Sequence, residues 1–161
     1  MMGLLRRLFL RGAPQIAAAH ARDAAAIAAL HAVSFHRGWS DEEIDSLLLD
    51  AQVLAHSLRV NGRLVGFVMS RSAADEAEIL SIAVDRAWQG RGFAQKLLET
   101  HMRRLAALGT KAIFLEVAEN NQPAIRLYRE GGFHEVAKRP NYYPSPDRSL
   151  AAALVLRRDI A

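Results

Sequence analysis

The chain has 161 residues, 51% hydrophobic and 24% charged, which is the balance of a folded protein rather than a disordered one, and its length fits one domain. With no cysteine it can form no disulfide, thiolate metal site or cysteinyl-enzyme intermediate, and that composition suits a cytoplasmic location. A net charge of +4 would attract a polyanionic small molecule as readily as nucleic acid, and no apolar run approaches the ~20 residues that crossing a bilayer requires.

Residues 1–12 mix leucines and Phe9 with Arg6, Arg7 and Arg11, so they are expected to be a basic amphipathic turn or a frayed tail ahead of a domain spanning 13–161. Gln15 to Ala19 is placed as a first edge strand. Asp23 opens a helix with Ile27, Leu30 and Ser34 on one face. Ser40 and Glu43 have the spacing of a capping box for a second helix, which turns Ile44, Leu47 and Leu48 inward. Val53–Val60 and Arg63–Arg71 flank Asn61-Gly62, the pair that best marks a tight hairpin. A third strand runs over Ala77–Val84. Apolar residues at 93, 97, 98, 102, 105 and 108 then keep helical spacing up to Gly109. Ala112–Val117 reads as a buried strand and Pro123–Glu130 as a short helix. Phe133–Arg139 and Leu150–Arg157 are two last strands around a loop at Asn141–Pro146.

This order predicts a mixed α/β (α+β) fold. Its glycine patterning supports neither a Walker loop, which needs G-x-x-x-x-G-K-[ST], nor a dinucleotide fingerprint, because Gln95 stands where a third glycine would be needed. What is present is Gln89-Gly90-Arg91-Gly92-Phe93-Ala94 between a strand and a helix. The first amides of a helix lack internal partners and carry partial positive charge. Glycines there leave room for an anion, and Arg91 adds a cation.

Residues 89–94 match the Q/R-x-x-G-x-G/A motif, and the chain from about 15 to 157 resembles the GNAT superfamily of N-acetyltransferases, in particular its branch acting on ribosomal-protein alanine. The later stretch Asn120 to Phe133 resembles that family's second cofactor-contacting segment. The resemblance implies a mostly antiparallel sheet of roughly six or seven strands with a splayed pair near Ile82–Val84 and Leu115–Val117, and about four helices on both faces. It implies acetyl-coenzyme A as acetyl donor, held by Ile82, Ala83, Val84, residues 89–94 (Gln89, Gly90, Arg91, Gly92, Phe93 and Ala94), Asn121 and Tyr128. An amide near Val84 would polarise the thioester carbonyl. By the same resemblance, Glu116 is the base and Tyr128 the acid toward sulfur.

The residues themselves support those two roles. Glu116 is the only charge in Ala112–Val117, and Tyr128 follows Ala124 and Ile125 by one helical turn. Asn121 also has the place of an N-cap before Pro123. Trp39 with Ser40, and Asn141-Tyr142-Tyr143-Pro144, resemble acceptor-side segments of the branch, so Trp39, Asn141, Tyr142 and Tyr143 are candidates for binding the acceptor. Pro140, Arg37-Gly38 and Asp147–Ala151 depart from the branch on that side, so a small amine stays open as the acceptor beside a protein N-terminus. A coenzyme A-binding domain without turnover is the reading from another class. The six histidines show no metal-ligand spacing, and most are expected on helix faces or the surface. No metal, nucleic-acid or membrane partner is expected, and the protein is expected to be a monomer or homodimer.

Overall fold

The computed structural model describes residues 12–35, 37–144 and 150–160. The segment expected to be amphipathic or frayed at 1–12 lies outside them except for Gly12. Among the described residues seven strands form one sheet: β1 (Gln15–Ala18), β2 (Val53–Val60), β3 (Arg63–Ala73), β4 (Glu76–Val84), β5 (Ala112–Ala118), β6 (His134–Pro144) and β7 (Leu150–Asp159). Their order is β1-β2-β3-β4-β5-β7-β6, antiparallel throughout except for the β4–β5 pair. Four α-helices lie among the described residues: α1 (Ala24–Ser34), α2 (Asp41–Leu49), α3 (Phe93–Ala107) and α4 (Gln122–Glu130). None is long and apolar enough to cross a membrane.

The period of two in the strands divides the interior into two cores, one on each face of the sheet. Leu58, Val68, Ile113, Leu115 and Val117 pack with Leu97, Leu98 and Leu105 of α3 and with Ile125 and Tyr128 of α4. Ala55, Phe67, Met69 and Ala83 face the other way, onto Ile27 and Leu30 of α1 and Ile44 of α2. Asn61 (φ 50°) and Gly62 (φ 79°) both take the left-handed conformation that a tight β2–β3 turn requires. Ser40 caps α2 by accepting the Glu43 amide at 3.1 Å.

One local reading changes, at residues 141–144. Asp23 opens α1 as its N-cap residue, without using its carboxylate as the cap. It is buried, accepts the His20 amide at 2.9 Å and pairs with Arg59 at 2.6 Å. Burial pushes that carboxyl up, but the His20 amide and the Arg59 guanidinium outweigh it and hold the group below its ordinary value. Residues 141–144, expected in a loop, belong to β6, where a break in register between Arg139 and Tyr143 lets pairing resume at Tyr143↔Ala151. Proline and polar residues suggested a loop, but an edge strand with a bulge tolerates both.

Among the described residues, His31, His56 and His101 are buried rather than on the surface. His101 of α3 meets His56 of β2 through their Nδ1 atoms at 2.7 Å, and its Nε2 lies 2.7 Å from the Ser70 hydroxyl of β3. Only one proton fits between the two Nδ1 atoms. Burial, with His56 alongside, pushes His101 down from 6.5 to about 3. The fold therefore keeps His101 neutral where the unfolded chain would take a proton. Its contribution is complete above pH 6.5 and is lost as pH falls from there toward about 3. The Tm should accordingly drop steeply between pH 6.5 and 4, and His101→Leu should flatten that drop. An identical acid limb in the variant would contradict this account.

Candidate active site

β4 and β5 pair only through Glu76↔Ala112, Ala77↔Ile113 and Glu78↔Phe114. Beyond Glu78 they separate. A bulge contributes, since Ser70 faces Ile79 while Met69 faces Ser81, leaving Leu80 as the extra residue in β4. The gap is the centre of a cleft of about 1160 Å³, lined by Ile79 to Val84 on one side and by Glu116, Val117 and Ala118 on the other. The backbone of β4 is poised to use it. The Asp85 amide donates to Val65 of β3 at 2.7 Å, and because successive amides alternate between edges, those of Val84 and Ile82 point into the gap.

At the end of β4 the chain makes a tight loop. Asp85 caps a 3₁₀ turn over Arg86–Trp88, accepting the Ala87 amide at 2.9 Å, which buries Trp88. The Gln89 side chain donates to the Val84 carbonyl at 2.9 Å and ties the loop back to the strand. Gly90 (φ 78°) and Gly92 (φ 76°) are both left-handed, and Gly92 is the N-cap of α3 without any side-chain cap. A Cβ at either position would meet nothing within 4 Å, so backbone conformation and the open approach to the helix amides, rather than crowding, explain the glycines.

The sequence candidates converge unevenly. Trp39, Ile82, Ala83, Val84, Gln89, Gly90, Gly92, Phe93, Ala94, Glu116, Asn121 and Tyr128 all line the cleft. Asn121 caps α4 by accepting the Ala124 amide at 3.3 Å. Arg91 is absent from that lining, and its guanidinium stacks on Trp88 at 4.8 Å. Tyr142 is likewise absent; its ring sits 5.5 Å from the guanidinium of Arg139. The side chains of Asn141 and Tyr143 lie outside the described residues.

Leu115 and Val117 face the α3 side, so Glu116 faces the α1–α2 side of the sheet. Tyr128 is buried on the α3–α4 side, its ring edge-on to Phe133 with centroids 5.7 Å apart. The gap between β4 and β5 thus opens toward both faces, with a carboxylate on one and a phenol on the other. Sequence reasoning missed Arg139, whose Nη2 lies 3.2 Å from Glu116 Oε1, and His31, which lines the cleft beside Trp39. Arg139 belongs to β6 and reaches Glu116 across β7, a contact without local signature. His31 is one histidine in an alanine-rich helix, and only its ring contacts distinguish it.

The described residues thus form a cleft at a split in the sheet, with a glycine-rich helix start at one end. The model of one protein family, described as the acetyltransferase (GNAT) family, matches residues 19–133. The [ribosomal protein bS18]-alanine N-acetyltransferases of Haemophilus ducreyi and Escherichia coli K12 are each 38% identical to this chain. The first alignment runs over 93 residues, 58% of this chain and 64% of that relative; the second runs over 94 residues, 58% of this chain and 64% of its relative. The crystal structure of the Escherichia coli ribosomal-protein-S18-alanine N-acetyltransferase superposes with a TM-score of 0.87 at 30% identity, covering 92% of this chain and 95% of that one. NAA60 of Arabidopsis thaliana, solved with a bisubstrate analogue, shares the fold at a TM-score of 0.79 and 17% identity, over 92% of this chain and 98% of its own.

Proposed function

The chain belongs to the acetyltransferase (GNAT) family, and from that membership we propose that it is a cytoplasmic N-acetyltransferase moving acetyl from acetyl-coenzyme A directly to an amine, foremost the α-amine of a protein or peptide N-terminus. The observation that carries the proposal is the split between β4 and β5, with Glu116 on one face of the sheet and Tyr128 on the other.

The residues present fit the donor. The helix amides at Gly92 to Ala94 and the open, left-handed Gly90 and Gly92 suit its pyrophosphate, while the inward amides of Ile82 and Val84 suit its amide-bearing arm. When bound, the donor supplies an activated acyl group on a thiol leaving group. The chain's own groups do the rest. The Val84 amide, pointing into the gap, would stabilise charge on an acyl oxygen. Glu116 Oε would take the proton that the amine must shed, on the α1–α2 side where Trp39 lies. The Tyr128 hydroxyl would return a proton to sulfur on the other face. Having base and acid on opposite sides of the gap lets amine and thiol occupy opposite faces, so no covalent enzyme intermediate is needed.

Protein N-termini are preferred as acceptors because the relatives at 38% identity are named for an N-terminal alanine target and because Trp39 and Phe35 give the α1–α2 mouth an aromatic wall. The test is thiol release from acetyl-coenzyme A with a panel of N-terminal peptides and small amines, followed by mass spectrometry of the product. Acetyl on a peptide α-amine supports the reading, acetylation of small amines alone moves the acceptor class, and no thiol release with any amine overturns it. Tyr128→Phe should lower kcat about 10-fold to 100-fold with acetyl-coenzyme A affinity within about twofold of the parent. A change in Tm alone would make the tyrosine structural.

A further inference from the structure

His31 is an unusual residue to find in the wall of the cleft. It is 3% exposed, lines the α1–α2 side, and sits between Phe35 and Trp39 in a continuous aromatic stack. Its ring lies 4.4 Å from Phe35 at 29° and 4.3 Å from Trp39 at 15°, with Phe67 of β3 behind it at 6.2 Å. The Trp39 backbone amide donates to His31 Nδ1 at 3.1 Å. Because a backbone amide can only donate, Nδ1 must carry the lone pair, and the ring proton belongs on Nε2.

We infer that His31 is a positioning residue: through Nδ1 and its ring face it fixes the Trp39 wall, and thereby sets affinity for the first residues of the acceptor. The inference rests on the acceptor site lying on the α1–α2 side, as read above. Trp39 stands between α1 and α2, just ahead of the Ser40 cap, where no helical hydrogen bond holds its amide. His31 supplies both constraints available to it, an acceptor for the amide and a flat surface for the indole. Burial pushes the imidazole down, against a smaller upward pull from Glu43, which favours the neutral form that the Trp39 bond requires. The contacts His31 makes go to Trp39, Phe35 and Phe67 and not to residues 89–94, so its loss should be felt by the acceptor and not by the donor.

Two variants separate the two constraints. His31→Phe keeps a ring in the stack but removes the acceptor. His31→Asn keeps an acceptor oxygen near the Nδ1 position but removes the ring. In His31→Phe the KM for a peptide acceptor should rise about tenfold while kcat and the acetyl-coenzyme A KM stay near parental values, and His31→Asn should recover part of that loss. In a Trp88→Phe background Trp39 is the only tryptophan, and its quenching by acrylamide should increase in both His31→Phe, which frees its amide, and His31→Asn, which uncovers its ring. A peptide KM unchanged in His31→Phe, or peptide and acetyl-coenzyme A KM values rising together, overturns the role. Equal quenching in His31→Phe and parent overturns it whether or not any amine is acetylated. Absence of turnover in the parent would instead sink the functional reading.

Discussion

Replacing Glu116 by glutamine should slow acetyl transfer at pH 7 by about 10²-fold to 10³-fold, the range expected when a positioned general base is lost. Glutamine preserves the shape of the side chain and can still occupy the wall of the gap, but it cannot take a proton from the incoming ammonium. Acetyl-coenzyme A affinity should stay nearly constant, because the carboxylate faces the α1–α2 side, away from the α3 loop. Stability should barely move. The pair Glu116 makes with Arg139 at 3.2 Å is partly solvent-exposed on the arginine side, and such pairs contribute about 0–1 kcal/mol. Initial rates against acetyl-coenzyme A binding by calorimetry make the measurement. Unaltered turnover in this variant would remove Glu116 from the base role, and a matching loss of donor affinity would make it a binding residue.

The second large effect is expected at Gly92. With φ at 76°, a β-branched side chain is strained there even though the space beside it is open. Gly92→Val should relieve that strain by turning the first α3 amides away, and losing even one or two charge-assisted contacts to a phosphate raises the acetyl-coenzyme A Kd by about 100-fold. Gly62 provides the control. It has nearly the same conformation, φ 79°, and equally open space, but it sits in the β2–β3 turn and does not line the cleft. Gly62→Val should cost stability of similar size and leave the Kd near parental. If both variants bind acetyl-coenzyme A normally, the loop at 89–94 is not the anion site.

The parts of this fold that were legible in the sequence share one property: their physics is local. Asn61-Gly62 specifies a turn because both residues tolerate left-handed backbone. The Gln89–Ala94 loop is legible because glycines between a strand and an amphipathic helix leave few other arrangements, and Ser40 and Asn121 announce helix starts by capping them. The parts that were not legible depend on partners far away in the chain. Residues 141–144 became strand because β7 offers pairing beyond a bulge, which composition alone could not reveal. Asp23 opens α1 as the sequence suggests, but its carboxylate pairs with Arg59, 36 residues on. His31, His56 and His101 are each an amphipathic ring that can face water or core, and only the rings and hydroxyl brought against them decide which. The Glu116–Arg139 pair needs β5 and β6 to flank β7.

The most direct test is a crystal structure of the protein with acetyl-coenzyme A. The diphosphate should rest on the amides of Gly90 to Ala94, with the arm running between β4 and β5 and its acetyl end between Glu116 and Tyr128. A donor bound elsewhere, or β4 and β5 drawn together along Ile82–Val84 with the loop empty, would contradict the account.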